Sequence, residues 1–255
     1  AVSRYGDVIL CGGSMDRRIT IMRLDSGTTA STSDSDAASP VPAVSLPEAP
    51  VTEGAVPSAS DWRNLFNGRD LSGWHEVYSN AAWTVRGGKL MARARQGEET
   101  LGLLATDAAF LNFELEFEYY LARDGNSGVF LRSTTDASTI PRVIGADQLE
   151  IQILDDDAPK HRKVGTGQRT GAVYGVLPPR PAANAPAEKW NRMKIKAVGS
   201  KITVFVNDVR IVNSDLDDFG HKIRGKFQYK KPGQIGLQWY GDPIWFRDLR
   251  VRELD

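Results

Sequence analysis

The sequence is poor in the residues on which several kinds of chemistry depend. It holds a single cysteine, Cys11. That excludes a disulfide framework and a cysteine-based metal cluster. The three histidines, His75, His161 and His221, are far apart and make no H-E-x-x-H pattern, so no zinc site is expected. No run approaches the ~20 apolar residues of a membrane span. Net charge is absent as well, because 32 Lys and Arg balance 32 Asp and Glu. Bulk electrostatics therefore favours neither nucleic acid nor an anionic membrane as partner, and an uncharged ligand suits the chain better. No window of helical length shows a 3.6-residue apolar period. The chain starts at Ala1 without a leader, which reads as a processed chain or a fragment.

What is present falls into three zones. Residues 1–26 hold two apolar runs, Val8 to Cys11 and Ile19 to Leu24, around a Gly12-Gly13-Ser14 turn, and predict a short β-hairpin. This run resembles the end of a WD40 propeller blade, although Met22-Arg23 stands where Trp-Asp would be. The resemblance implies covalent fusion to an upstream propeller. Residues 27–60 are rich in Ser, Thr, Ala and Pro and contain no aromatic residue. Such a segment buries too little apolar surface to offset ordering entropy and reads as a disordered linker. Its composition suits an extracytoplasmic protein, periplasmic or secreted.

Residues 61–255 carry all six tryptophans and a series of strand-like runs. Arg86-Gly87-Gly88 and Asn207-Asp208 each separate two such runs and predict hairpin turns. Further strands are expected at 113–121, 127–132, 147–154, 172–177, 190–197, 234–239 and 244–252. Many strands with almost no helix indicate an all-β sandwich or jelly roll. Alternation puts Phe113, Leu115, Phe117 and Tyr119 on one face of their strand and Glu114, Glu116, Glu118 and Tyr120 on the other. Likewise Leu149, Ile151 and Ile153 face a core, and Gln148, Glu150 and Gln152 face away. Solvent exposure explains such outer faces. In a curved sandwich the same residues floor a groove suited to sugars, with Trp190, Trp239, Tyr174 and Tyr240 as aromatic platforms.

Several motifs then share one pattern: Leu65-Phe66-Asn67-Gly68-Arg69-Asp70-Leu71-Ser72-Gly73-Trp74, Trp83-x-Val85-x-Gly87-Gly88, Asn126-Ser127-Gly128-Val129, Glu150-x-Gln152-Ile153-Leu154-Asp155, Gly171-Ala172-x-Tyr174, Glu188-x-Trp190-Asn191, Gly236-x-Gln238 and Phe246-Arg247-Asp248-Leu249. In this order and spacing the chain resembles the 3-keto-disaccharide hydrolase family. The resemblance implies a concanavalin-like β-sandwich related to family 16 glycoside hydrolases. It also implies a glycoside hydrolase acting on a carbohydrate whose sugar carries a ketone at C3. One position departs: Tyr120 follows Glu118-Tyr119 where the family commonly has arginine.

A C3 ketone acidifies the C2 proton, so the C1 substituent can leave by elimination and water can add back. Glu150 and Glu118 are the expected acid and base, with Asp155 third. Asn126, Arg132, Gln152, Tyr174, Trp190, Gln238 and Arg247 are the expected substrate-binding residues. No cofactor and no metal are expected, and Asp155-Asp156-Asp157 reads as a turn. Ordinary two-carboxylate hydrolysis is the rival route, with carboxyls ~5–5.5 Å apart for retention. A non-catalytic, lectin-like module is the alternative function. Convergence of Glu118, Glu150, Gln152 and Asp155 in one pocket favours the enzyme, and a flat aromatic strip favours the lectin.

Overall fold

The computed structural model describes residues 2–5, 8–11, 20–23, 61–78, 81–94, 101–133, 149–223 and 230–255. The chain divides into two compact units, Ala1–Gly54 and Ala55–Asp255. The first contains β1 (Val2–Tyr5), β2 (Val8–Cys11) and β3 (Thr20–Arg23). Strands β2 and β3 pair antiparallel, and β1 adds to the other edge of β2, a strand the sequence reading lacked. The expected linker lies outside the described residues.

The second unit follows with β4 (Arg63–Asn64), β5 (Trp74–Tyr78), β6 (Ala81–Arg86), β7 (Lys89–Ala94), β8 (Leu101–Phe110), β9 (Phe113–Leu121), β10 (Asn126–Ser133) and β11 (Leu149–Leu154). It closes with β12 (Trp190–Val198), β13 (Lys201–Val206), β14 (Val209–Asp215), the helical turn α1 (Gly220–Ile223), β15 (Gly233–Tyr240) and β16 (Ile244–Glu253). The smaller sheet has the order β11-β10-β15-β8-β5. The larger runs β14-β13-β12-β9-β16-β7-β6, with β4 paired to β16. All pairings are antiparallel. The two sheets form the expected β-sandwich.

Local sequence chemistry accounts for the turns. Asn207 and Asp208 both adopt positive φ, 49° and 66°, as a two-residue type I′ hairpin between β13 and β14 requires. Gly87 and Gly88 do the same between β6 and β7, at 56° and 72°. The core lies between the sheets. Phe113, Leu115, Phe117 and Tyr119 enter it from the larger sheet, and Leu149, Ile151, Ile153 and Trp239 from the smaller. Each fully buried large apolar side chain contributes about 1.5–3 kcal/mol. The expected strand at 172–177 is not one. Only isolated bridges form there, Val173 to Ile151 and Val173 to Leu177, because the segment turns back on itself beside β11.

Candidate functional site

The smaller sheet carries an unusual outer face. Every residue of β11 is buried, including those that alternate away from the core. Glu150 is 4% exposed and Gln152 3%, so neither is the solvent-facing group that simple alternation suggests. Across the ladder Glu150 opposes Phe130, and Gln152 opposes Gly128. The Glu150 carboxylate lies directly on Gly128, where a Cβ would overlap it. Glycine inside a strand here leaves room for another group's close approach.

Gln238 on β15 hydrogen-bonds the Glu150 carboxylate. Gln152, with its amide nitrogen turned toward Glu150, donates to Oε1 at 3.2 Å and to the Ser127 carbonyl at 3.3 Å. The Gln152 and Asn126 amides meet at 3.0 Å. Ser127 donates its hydroxyl to the Gln238 carbonyl at 2.6 Å, tying β10 to β15 beneath the site. Burial pushes the Glu150 pKa up to about 8, against the smaller opposing effect of the Gln238 hydrogen bond. Phe130 and Leu103 form an apolar patch beside it, backed by Val77. One carboxyl group therefore sits among amides and apolar side chains, where it exchanges a proton near neutral pH.

Tyr174 belongs to this neighbourhood. Its backbone N–H donates to the Glu150 carbonyl at 2.9 Å, and its hydroxyl accepts from Gln168 at 2.7 Å. Tyr240 alternates onto the same face as Gln238 and is 53% exposed.

Other expected members stand elsewhere. Glu118 lies on the outer face of the larger sheet, with the whole core between it and Glu150. Its partner is Arg247, whose Nε donates to it at 2.6 Å. Arg247 in turn stacks over Trp190 at 4.0 Å. Glu118, Arg247 and Trp190 thus form one group, and it is not the Glu150 group. Alternation assigned each glutamate to an outer face but could not say which sheet owned that face.

Trp239 is fully buried in the core and serves as no platform. Arg132 adopts positive φ in a bulge of β10 and donates to the carbonyls of Leu111 and Gly199, each at 2.6 Å. It clamps two turns at the end of β10 away from Asn126. Asp155 lies roughly 17 Å along the strand from Glu150 by strand rise. Its carboxylate accepts from the Asp124 N–H at 2.8 Å and so holds the β9–β10 turn. Gly128 is the site residue the sequence reading left without a role. Its signals were its place in the Asn126-Ser127-Gly128-Val129 motif and a glycine inside a strand.

The family model of the 3-keto-alpha-glucoside-1,2-lyase-like domain matches residues 61–252. The chain belongs to this family. A 3-keto-disaccharide hydrolase of Bacteroides thetaiotaomicron is 26% identical over 231 aligned residues, covering 77% of this chain and 80% of that protein. A Parabacteroides distasonis structure, provisionally named a glycosyl hydrolase, superposes with TM-score 0.66 at 19% identity, over 77% of this chain and 95% of the other. A second from the same organism gives TM-score 0.61 at 28% identity, over 76% and 99%. The strand order of this lyase-like domain places Glu150, Gln152, Asn126 and Gln238 on adjacent strands of one sheet.

Proposed function

We propose that the chain cleaves a glycoside whose sugar carries a C3 ketone, with Glu150 as the proton-transfer group. The observation that carries this reading is a buried carboxyl with a pKa of about 8 held by amides. Family membership supports the substrate class. Glu118 stands on the other sheet, so two-carboxylate hydrolysis lacks its second acid. Of the four residues whose convergence favours an enzyme only Glu150 and Gln152 meet, and family membership is what favours the enzyme over a lectin-like module. Ionised Glu150 takes the C2 proton, and the electron pair passes to the ketone oxygen as an enolate. The enolate then re-forms the ketone, C1=C2 forms and the C1–O bond breaks. Glu150 returns its proton to the departing oxygen. Water then adds across C1=C2, its hydroxyl to C1 and its proton to C2.

A high proton affinity makes the ionised form of Glu150 a stronger base than an ordinary carboxylate. Gln238 supports that ionised form, and Gln152 and Asn126 offer amides to the sugar hydroxyls or the enolate oxygen. The test is turnover of a 3-keto disaccharide and of its unoxidised parent, followed by mass. The expected result is cleavage of the keto sugar alone, with kcat/KM rising with pH to a plateau above about pH 8. Glu150→Gln should lose at least about a hundredfold. A flat or falling profile, or an unaffected variant, removes Glu150 from the chemistry.

The Ser/Thr/Pro-rich segment 27–60 supports an extracytoplasmic setting, with the family domain tethered behind residues 1–26 and an upstream propeller as its fusion partner. Among the described residues no helix is long and apolar enough to cross a membrane.

A further inference from the structure

The residues grouped around Glu118 have a geometry of their own. On the outer face of the larger sheet, successive rows cross β12, β9 and β16 in register. The first row is aromatic: Trp190, Tyr120, Trp245. Tyr120 lies 5.6 Å from Trp190 and 5.2 Å from Trp245, ring centre to ring centre. The next row is Arg192, Glu118, Arg247, and the one after it Lys194, Glu116, Arg250. Between Arg247 and Arg250 the register of β16 slips, and Asp248 takes a positive φ of 53°. At this bulge the face holds a depression of about 310 Å³ lined by Asn64, Glu116, Glu118, Arg192, Asp248 and Arg250. That is the lower end of the size range of small-ligand sites.

The charges around the depression cancel. Glu116, Glu118 and Asp248 stand against Arg192, Arg247 and Arg250, in pairs such as Arg250 to Glu116 at 3.1 Å and Arg247 to Asp248 at 3.6 Å. The lining of three acids and two arginines, with Arg247 paired to Glu118 and Asp248 from beside it, is rich in donors and acceptors and close to balance in charge, which suits an uncharged, hydroxyl-rich ligand. It suits an anion or a cation poorly, since either would leave one set of charges opposed. Vicinal hydroxyls can accept from a guanidinium and donate to a carboxylate at once. The half-buried Trp190 and Tyr120 border the charged rows and offer apolar surface to the C–H side of a sugar ring.

We propose that this depression is a second carbohydrate-binding site, taking one uncharged hexopyranosyl unit, on the sheet opposite Glu150. It holds a glycan without cutting it, because each acid named is already paired with arginine. It does not depend on the role given to Glu150.

The test is an NMR titration of the full chain with maltose, with the indole N–H resonances of Trp190 and Trp245 observed. A saturable shift at Trp190 is expected. Asn64→Ala and Arg192→Ala, both at exposed positions, should each weaken it about tenfold, the value of one lost hydrogen bond to a charged or amide group. Glu150→Gln should leave it unchanged while turnover is lost, which separates the two sites. A Trp190 resonance that never moves with maltose overturns the proposal. So does a shift that survives both variants, or a response to the zwitterion glycine with none to maltose.

Discussion

Glu150 is held at a cost to the fold, and the cost depends on pH. Its carboxyl has an ordinary value of 4.5 when exposed and about 8 in the folded chain. Below pH 4.5 both states carry the proton and the site costs nothing. As pH rises toward 8 the unfolded chain releases its proton and the folded chain does not, so stability falls. Above 8 both are ionised and the difference stays constant, at an order of a few kcal/mol. Thermal unfolding of Glu150→Gln should therefore match the parent near pH 4.5, gain on it up to pH 8 and then hold a constant lead. A lead that shrinks with pH would contradict the burial of this carboxyl. Gly128 belongs to the same arrangement. Gly128→Ala should push the carboxylate aside, because the new methyl would occupy its place. The expected outcome is a loss of about tenfold or more in kcat with the β-sheet circular-dichroism signature retained.

At the scale of elements, β9 shows what alternation can reveal and what it cannot. Its bounds, its core face of Phe113, Leu115 and Phe117, and its outer glutamates were all readable, because a strand with one buried face has a strict period of two. The type I′ turn at Asn207-Asp208 was readable too, from the residues that tolerate positive φ. The ownership of each outer face was not. Pairing partners come from distant parts of the chain, so Glu118 and Glu150 looked alike in sequence and differ entirely in setting. Nor did alternation disclose that β11 is buried on both faces, since Glu150 and Gln152 carry the polar signature of an exposed face. The ion pairs on β9 are unequal in weight. Glu114 is nearly buried and accepts from Arg252 at 2.8 Å, whereas the Arg63–Glu253 pair leaves both side chains at least half exposed. Arg252→Ala should cost about 1.5–3 kcal/mol by removing two charge-assisted hydrogen bonds from Glu114, which keeps Lys196 at 3.6 Å, and Arg63→Ala under about 1 kcal/mol. Urea unfolding of the two variants decides this, and equal losses would count against it.

At the scale of the molecule, the family domain has its own core, and residues 55–255 form a compact unit by themselves. A chain shortened to Ala55–Asp255 should unfold at the midpoint of the full chain and show the same turnover as the full chain in the 3-keto disaccharide test proposed above. A lowered midpoint would show that residues before Ala55 contribute to the fold. The charge pattern of the larger sheet bears on how this domain behaves among its own copies. Strand β9 presents only acids between its aromatic and apolar positions, and β12 and β16 meet it with Arg and Lys. A second β9 laid against the first would bring the glutamates at 114, 116 and 118, three of the four outward positions, against like charge. The pattern that selects the native neighbours therefore also discourages strand exchange and self-stacking during folding, when these edges are open.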